Sequence, residues 1–199
     1  FVGFSQGTDD FNSLQTSTSY QTVTSSDGWY CVNAAVNAAS TYTIGTCDRK
    51  YVVINGKTTA VGSITSPDLT GGCGTLSLSY GNVFAENNGV SFKIQVKNLT
   101  DEVLYETIVT KANSEVTKGE TYNFTADVNQ AGDFKIYIQN LSPSHNTGNK
   151  DRLAISCIEW TAYGTPAAVA APTFTPAAGM FYAAQEVTLA TTTVGATIY

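Results

Sequence analysis

The chain has 199 residues, with 10 Lys and Arg against 16 Asp and Glu, giving a formal net charge of -6. An acidic chain with no basic tract is a poor coat for phosphate backbones, so a nucleic-acid partner is not expected. No apolar run approaches the ~20 residues that span a bilayer, so membrane insertion is not expected either. Hydrophobic residues at 42% can build a core, which argues against disorder. The abundance of Thr, Ser and Asn favours strands and turns over helices.

In chain order, the first notable feature is the pair Trp29 and Tyr30, after the turn-like Ser25-Ser26-Asp27-Gly28. If this pair is extended, one ring faces away from the core. Asn33 to Ser40 is the one segment with helical character, and its alanines equally suit a loop. Tyr51 to Ile54 reads as a buried strand. Leu76, Leu78 and Tyr80 then alternate after a glycine cluster, and Phe92, Ile94 and Val96 alternate with Ser91, Lys93, Gln95 and Lys97. Val103 to Val109 reads as a second buried strand. Tyr122, Phe124, Ala126 and Val128 alternate next, as do Phe134, Ile136 and Ile138 with Lys135, Tyr137 and Gln139 on the wet face. An apolar run from Leu153 to Trp160 closes the series. Turn signals such as Asn55-Gly56, Lys118-Gly119 and Gly132-Asp133 separate these segments. Short antiparallel strands at this spacing make an all-β sandwich or barrel over residues 1–163.

The composition changes after Tyr163. Residues 164–171 read as a linker, and residues 172–199 as the opening strands of a second β-sandwich domain that the chain does not complete, since about thirty residues bury too little surface for a core. The stretch Ala171-Pro172-Thr173-Phe174-Thr175-Pro176 through Val187-Thr188-Leu189 to Gly195-Ala196-Thr197-Ile198-Tyr199 resembles the chitobiase/β-hexosaminidase C-terminal-like repeat. That resemblance implies a fibronectin-type spacer within a secreted, multidomain bacterial protein. The segments Ile64 to Leu78, Asn140-Leu141-Ser142-Pro143-Ser144 and Lys150-Asp151-Arg152 resemble the jelly-roll accessory domains of secreted polysaccharide-degrading enzymes, nucleases and adhesin-like surface proteins. They imply a jelly-roll β-sandwich, with function left to the site grafted on it.

Four cysteines, Cys31, Cys47, Cys73 and Cys157, form no CxxC pair, and the one histidine, His145, leaves a structural zinc site without ligands. Three disulfide pairings are possible. A Cys31–Cys47 bridge is the expected one, closing a polar, alanine-rich loop and stabilising it by ~3 kcal/mol. Cys73 and Cys157 read as small buried hydrophobes. The low charge and strand-rich composition suit a secreted or cell-surface protein.

Catalytic devices are hard to assemble from these residues. A nucleophile–histidine pair depends on His145 in a polar loop. Glu102, Glu106, Glu115 and Glu120 sit near turns or on wet strand faces, where solvated surface charge is the simpler reading. There is no GxSxG elbow, HExxH helix or phosphate-cradling glycine loop. Sugar binding asks for less: an exposed aromatic ring for the apolar face of a pyranose, with amides, hydroxyls and charges around it. Trp29 and Tyr30 are the leading candidates, Tyr20 and Tyr42 are weaker ones, and Asn146 and Lys150 in the polar loop Ser144 to Lys150 would rim the same surface. Jelly-roll modules of the resembling kind often hold a structural calcium where their ends meet, which would fall to Asp9, Asp10 and Asp151. The competing account pairs Asp48 or Asp151 with Arg49 or Arg152 at the surface. The sequence thus points to a non-catalytic, polysaccharide-tethering module attached to further domains, against an adhesive or spacer module and, third, a jelly-roll glycoside hydrolase or lyase.

Overall fold

In the computed structural model, the alternating segments form one 11-stranded, all-antiparallel sheet folded over a shared core. The structure describes residues 6–37, 41–45, 47, 49–84, 89–142, 151–164, 171–177, 179–180, 182–184 and 186–190. The chain divides into two units, Phe1–Gly164 and Thr165–Tyr199.

The first unit contains β1 (Gln6–Thr8), β2 (Ser17–Thr24), β3 (Tyr30–Val36), β4 (Val52–Ile54), β5 (Ser63–Thr65), β6 (Cys73–Gly81), β7 (Val90–Asn98), β8 (Val103–Lys111), β9 (Tyr122–Gln130), β10 (Phe134–Asn140) and β11 (Leu153–Thr161). Their order is β8-β7-β10-β5-β3-β4-β11-β6-β9, with β1 added to β11 and β2 to β3. The outer strands β8 and β9 approach each other, so the sheet nearly closes on itself. This is an all-β jelly-roll sandwich. One layer runs from β8 to β3 and the other from β4 to β9, with Ile64, Phe92, Phe134 and Ile136 of the first packing on Leu76, Ile155, Ile158 and Trp160 of the second.

β3 joins the two layers. Its first half, Tyr30 to Val32, pairs with β5, and its second half, Ala34 to Val36, pairs with β4. The turn between them falls on Asn33, whose φ of 47° lies in the left-handed region that Asn tolerates better than most residues. Its side-chain amide donates to the Val61 carbonyl at 2.9 Å, and the Asn55 N–H donates to its carbonyl at 3.1 Å, which fixes the corner. The helical character of Asn33 to Ser40 is therefore overturned through Val36. Ladders from β2 and β4 outweigh alanine's preference, and Ala34 and Ala35 are small enough to be fully buried between neighbours.

β8 is also less buried than expected. It is an edge strand bonded only to β7, so its outward residues Val103 and Ile108 stay exposed while Tyr105 and Val109 pack on the core. Tyr51 and the whole of β4 are buried, as the sequence suggested.

In the second unit, β12 (Thr173–Thr175) pairs antiparallel with β13 (Thr188–Ala190), and Phe174 and Leu189 are exposed. The end of the expected second domain, from residue 191 to 199, lies outside the described residues.

Candidate functional site

The cysteine pairing differs from the expected one. Cys47 is bridged to Cys157, across 110 positions, while Cys31 and Cys73 are free and buried. The cause is a β-bulge in β11. Its register against β6 shifts between Ser156 and Glu159, and Cys157 takes a φ of 52°. The bulge inserts an extra residue, so Ser156 and Cys157 both face outward, toward the segment carrying Cys47. Gly45 lies directly on Cys157, where any Cβ would collide with the sulfur. Burial pushes both free thiols up to about 12. The native chain is thus expected to react with no thiol reagent, and two thiols to appear on denaturation. Labelling counted by intact mass checks this pairing.

The bulge also explains Asp9. The Ile158 N–H, released from the ladder, donates to the Asp9 carboxylate at 2.7 Å, and the Asp9 N–H donates to the Ile158 carbonyl at 2.9 Å. Burial raises the Asp9 pKa from 3.8 to about 6, against the opposing pull of its N–H donors Ile158 and Phe11 and of Arg49. Folded Asp9 holds its proton more tightly than unfolded Asp9. Its stabilising contribution is therefore complete below pH 3.8 and lost as pH rises through about 6. The gap corresponds to about 3 kcal/mol. Asp9→Asn keeps an acceptor for Ile158 without the charge, so it is expected to raise stability at pH 8 by up to that amount and to flatten the profile between pH 4 and 7. Urea titrations across that range test it.

Of the predicted ligand residues, Trp29 is fully buried, edge-on to Phe11 at 5.6 Å and tilted against Trp160 at 6.2 Å. It is a core residue with no surface for a sugar. Tyr30, the next residue on an extended strand, faces the other way and is 46% exposed. Tyr42 lies away from it, against Gly119 with the Lys118 ammonium 5.2 Å from its ring centre, and Tyr20 packs on a small side cluster with Ile44 and Tyr51. Asn146, Lys150 and His145 lie outside the described residues. The three aspartates are not brought together: Asp9 sits at Ile158, and Asp151 precedes β11 at its other end, about 20 Å along the chain. Asp10 is engaged by the Ser26 hydroxyl at 2.7 Å. Among the described residues no group of three or more His, Cys, Asp or Glu side chains is placed to hold a metal ion. The arginines expected in surface pairs have these partners among the described residues. Arg49 pairs with Glu159 at 3.3 Å, Arg152 lies 3.7 Å over the Phe84 ring, and Asp48 is outside the described residues.

Register places Tyr30 in a row that the sequence did not reveal. Tyr30 is opposite Thr65, Thr65 opposite Tyr137, Tyr137 opposite Gln95, and Gln95 opposite Glu106. Directly opposed residues point to the same face, so these five side chains cross the outer face of β3-β5-β10-β7-β8 in one line of about 19 Å. Tyr30 and Tyr137 stand two strands apart, about 10 Å. The Lys97 ammonium is 4.5 Å from the Tyr137 ring centre, and the Gln95 amide donates to Glu106. Tyr30 is thus the open ring; Tyr137, under the Lys97 ammonium, stands about 10 Å from it, while Glu106 ends the row at its far edge and Gln95 between them is buried. The alternation of β10 had already put Tyr137 on the wet face; its juxtaposition with Tyr30 needed the register.

A cleft of about 440 Å³ lies on the outer face of β11-β6-β9, lined by the Cys47–Cys157 bridge, Ser77, Ser79, Asn123, Thr125 and Glu159. Glu159 is its one acidic residue among the described lining residues, whereas glycoside hydrolysis uses two facing carboxyl groups.

No protein-family model matches the chain, and no curated protein matches it. Solved structures do. A cleaved adhesin domain of Lys-gingipain from Porphyromonas gingivalis superposes with a TM-score of 0.50 at 13% identity, over 80% of this chain and 99% of that one. TmCBM61 in complex with β-1,4-galactotriose gives 0.48 at 12% identity, over 67% and 88%. A family 29 carbohydrate binding module gives 0.43 at 16%, over 80% and 90%. At such identities the adhesin-domain likeness concerns the fold alone, and it is the same jelly-roll class.

Proposed function

We propose that the first unit is a non-catalytic carbohydrate-binding module of a secreted or surface protein, and that it holds polysaccharide against the face carrying Tyr30. The observation that carries this reading is the row Tyr30–Thr65–Tyr137–Gln95–Glu106. An open tyrosine ring offers a flat apolar surface to one pyranose, and the Tyr137 hydroxyl, the Lys97 ammonium and the Glu106 carboxylate farther along the row meet hydroxyls of units farther along the same chain. A strip crossing five strands suits an extended chain better than a compact ligand. Weak binding of this kind works by tethering: it raises the local concentration of whatever the module is attached to. The Cys47–Cys157 bridge supports an oxidising compartment.

The test is depletion of the chain by a panel of insoluble and soluble polysaccharides. Tyr30→Ala is expected to weaken binding at least tenfold, with its unfolding midpoint nearly unchanged because the ring is exposed. Full retention by both Tyr30→Ala and Tyr137→Ala would remove the site from this face. The exposed Val103 and Ile108 on the same face favour a second reading, an adhesive module that takes a protein partner there. Folded protein that binds no glycan would favour it.

A further inference from the structure

The cleft on the opposite layer has the chemistry of a second ligand site. Its rows are set by register: Glu159 is opposite Ser77 and Ser77 opposite Thr125, while Ser79 is opposite Asn123. The Ser79 hydroxyl donates to Asn123 Oδ1 at 2.8 Å, which turns the amide nitrogen into a donor for the cleft. Neither the Ser77 nor the Thr125 hydroxyl has a partner among the described residues. Arg49 contacts one Glu159 oxygen at 3.3 Å, holding the carboxylate in place with its second oxygen open. At its Ser79 end the cleft is bounded by the segment carrying Cys47: Gly45 packs on Ser79, and the segment is fastened by the disulfide and by the Gly45 N–H donating to Thr121 Oγ1 at 3.0 Å. At its other end it continues past Ser77 into a smaller hollow of about 60 Å³ at Thr75 and Thr161.

We propose that this cleft binds the terminal unit of a neutral saccharide, independently of the tyrosine face. A carboxylate acceptor, an amide donor and two hydroxyls that do both match a vicinal diol, whose adjacent hydroxyls each donate and accept. Glu159 disfavours an anionic ligand. The groove's blind end admits a chain end and stops a chain passing through. Its volume falls in the range of about 300–1,000 Å³ found for small-ligand sites.

The experiment is an amide-resolved NMR titration of the whole chain with methyl glycosides of the common hexoses and pentoses, each at millimolar concentration. At least one glycoside is expected to shift the signals of Ser77, Asn123, Thr125 and Glu159 while leaving those of Tyr30 and Tyr137 in place. Asn123→Ala and Glu159→Gln are each expected to weaken that binding at least tenfold, and Tyr30→Ala to leave it unchanged. Thermal unfolding of each variant confirms that it is folded. No shift in the cleft with any glycoside overturns the inference, as does binding that survives both cleft substitutions. Polysaccharide depletion run in parallel separates the two sites. Loss of polymer binding in Tyr30→Ala with a silent cleft overturns this inference alone, and cleft shifts without polymer binding overturn the tyrosine-face reading alone.

Discussion

Replacing Cys47 and Cys157 together by alanine is expected to lower the unfolding free energy by about 4 kcal/mol. The bridge spans 110 positions, and closing a loop of that length restricts the unfolded chain far more than it restricts the folded one. The loss is read from denaturant titrations of the variant beside the oxidised chain. A further comparison isolates the backbone. Cys157 holds a φ of 52°, a conformation that costs a side-chain-bearing residue about 1–2 kcal/mol and glycine almost nothing. The Cys47→Ala/Cys157→Gly chain is therefore expected to be more stable than the double-alanine chain by about 1 kcal/mol. Equal stability of the two would show that the bulge relaxes once the bridge is gone.

Trp29→Ala is expected to cost about 3–5 kcal/mol, the range for emptying a fully buried aromatic site. Trp29 has no exposed surface and fills the space between Phe11 and Trp160. Its ring nitrogen has no hydrogen-bond partner, so Trp29→Phe forfeits packing alone, about 1–2 kcal/mol. The contrast with its neighbour is the useful part. Trp29→Phe should keep glycan binding at reduced stability, whereas Tyr30→Ala should lose binding at preserved stability. If Trp29→Phe lost binding while remaining folded, the assignment of Tyr30 as the stacking ring would fail.

Much of the sandwich was readable from side-chain alternation. β9 and β10 alternate because each buries one face, and β7 does so from Val90 to Ile94 before Gln95 is buried as well; period two survives wherever one side stays wet. β3 was opaque for the opposite reason. Its second half is buried on both faces, its alanines carry a helical preference, and its corner at Asn33 depends on partners at residues 55 and 61. The disulfide was unreadable because the outward turn of Cys157 comes from the bulge, which in turn needs Asp9, far away in sequence, to cap the freed Ile158 N–H. The candidate platform was half legible. Sequence narrowed the outward ring to Trp29 or Tyr30 and placed Tyr137 on a wet face, but only the pairings of β5 with β3 and β10 put the two tyrosines in one line.

The position of β11 has a consequence for how the chain is made. It is the last strand of the first unit, and β1, β4 and β6 all bond to it. While the polypeptide emerges from the ribosome, three strands wait for a partner that comes last, so the sheet assembles after synthesis of the unit and the search spans nearly its whole length. In that interval Cys31, Cys47 and Cys73 are all present as thiols before Cys157 has been made. The nearest partner for Cys47 is then Cys31, and a premature bridge between them has to be undone by thiol–disulfide exchange before β11 can dock. Docking buries Cys31 and Cys73, removing both from further exchange, so the completed fold rather than nearness along the chain selects the final bond.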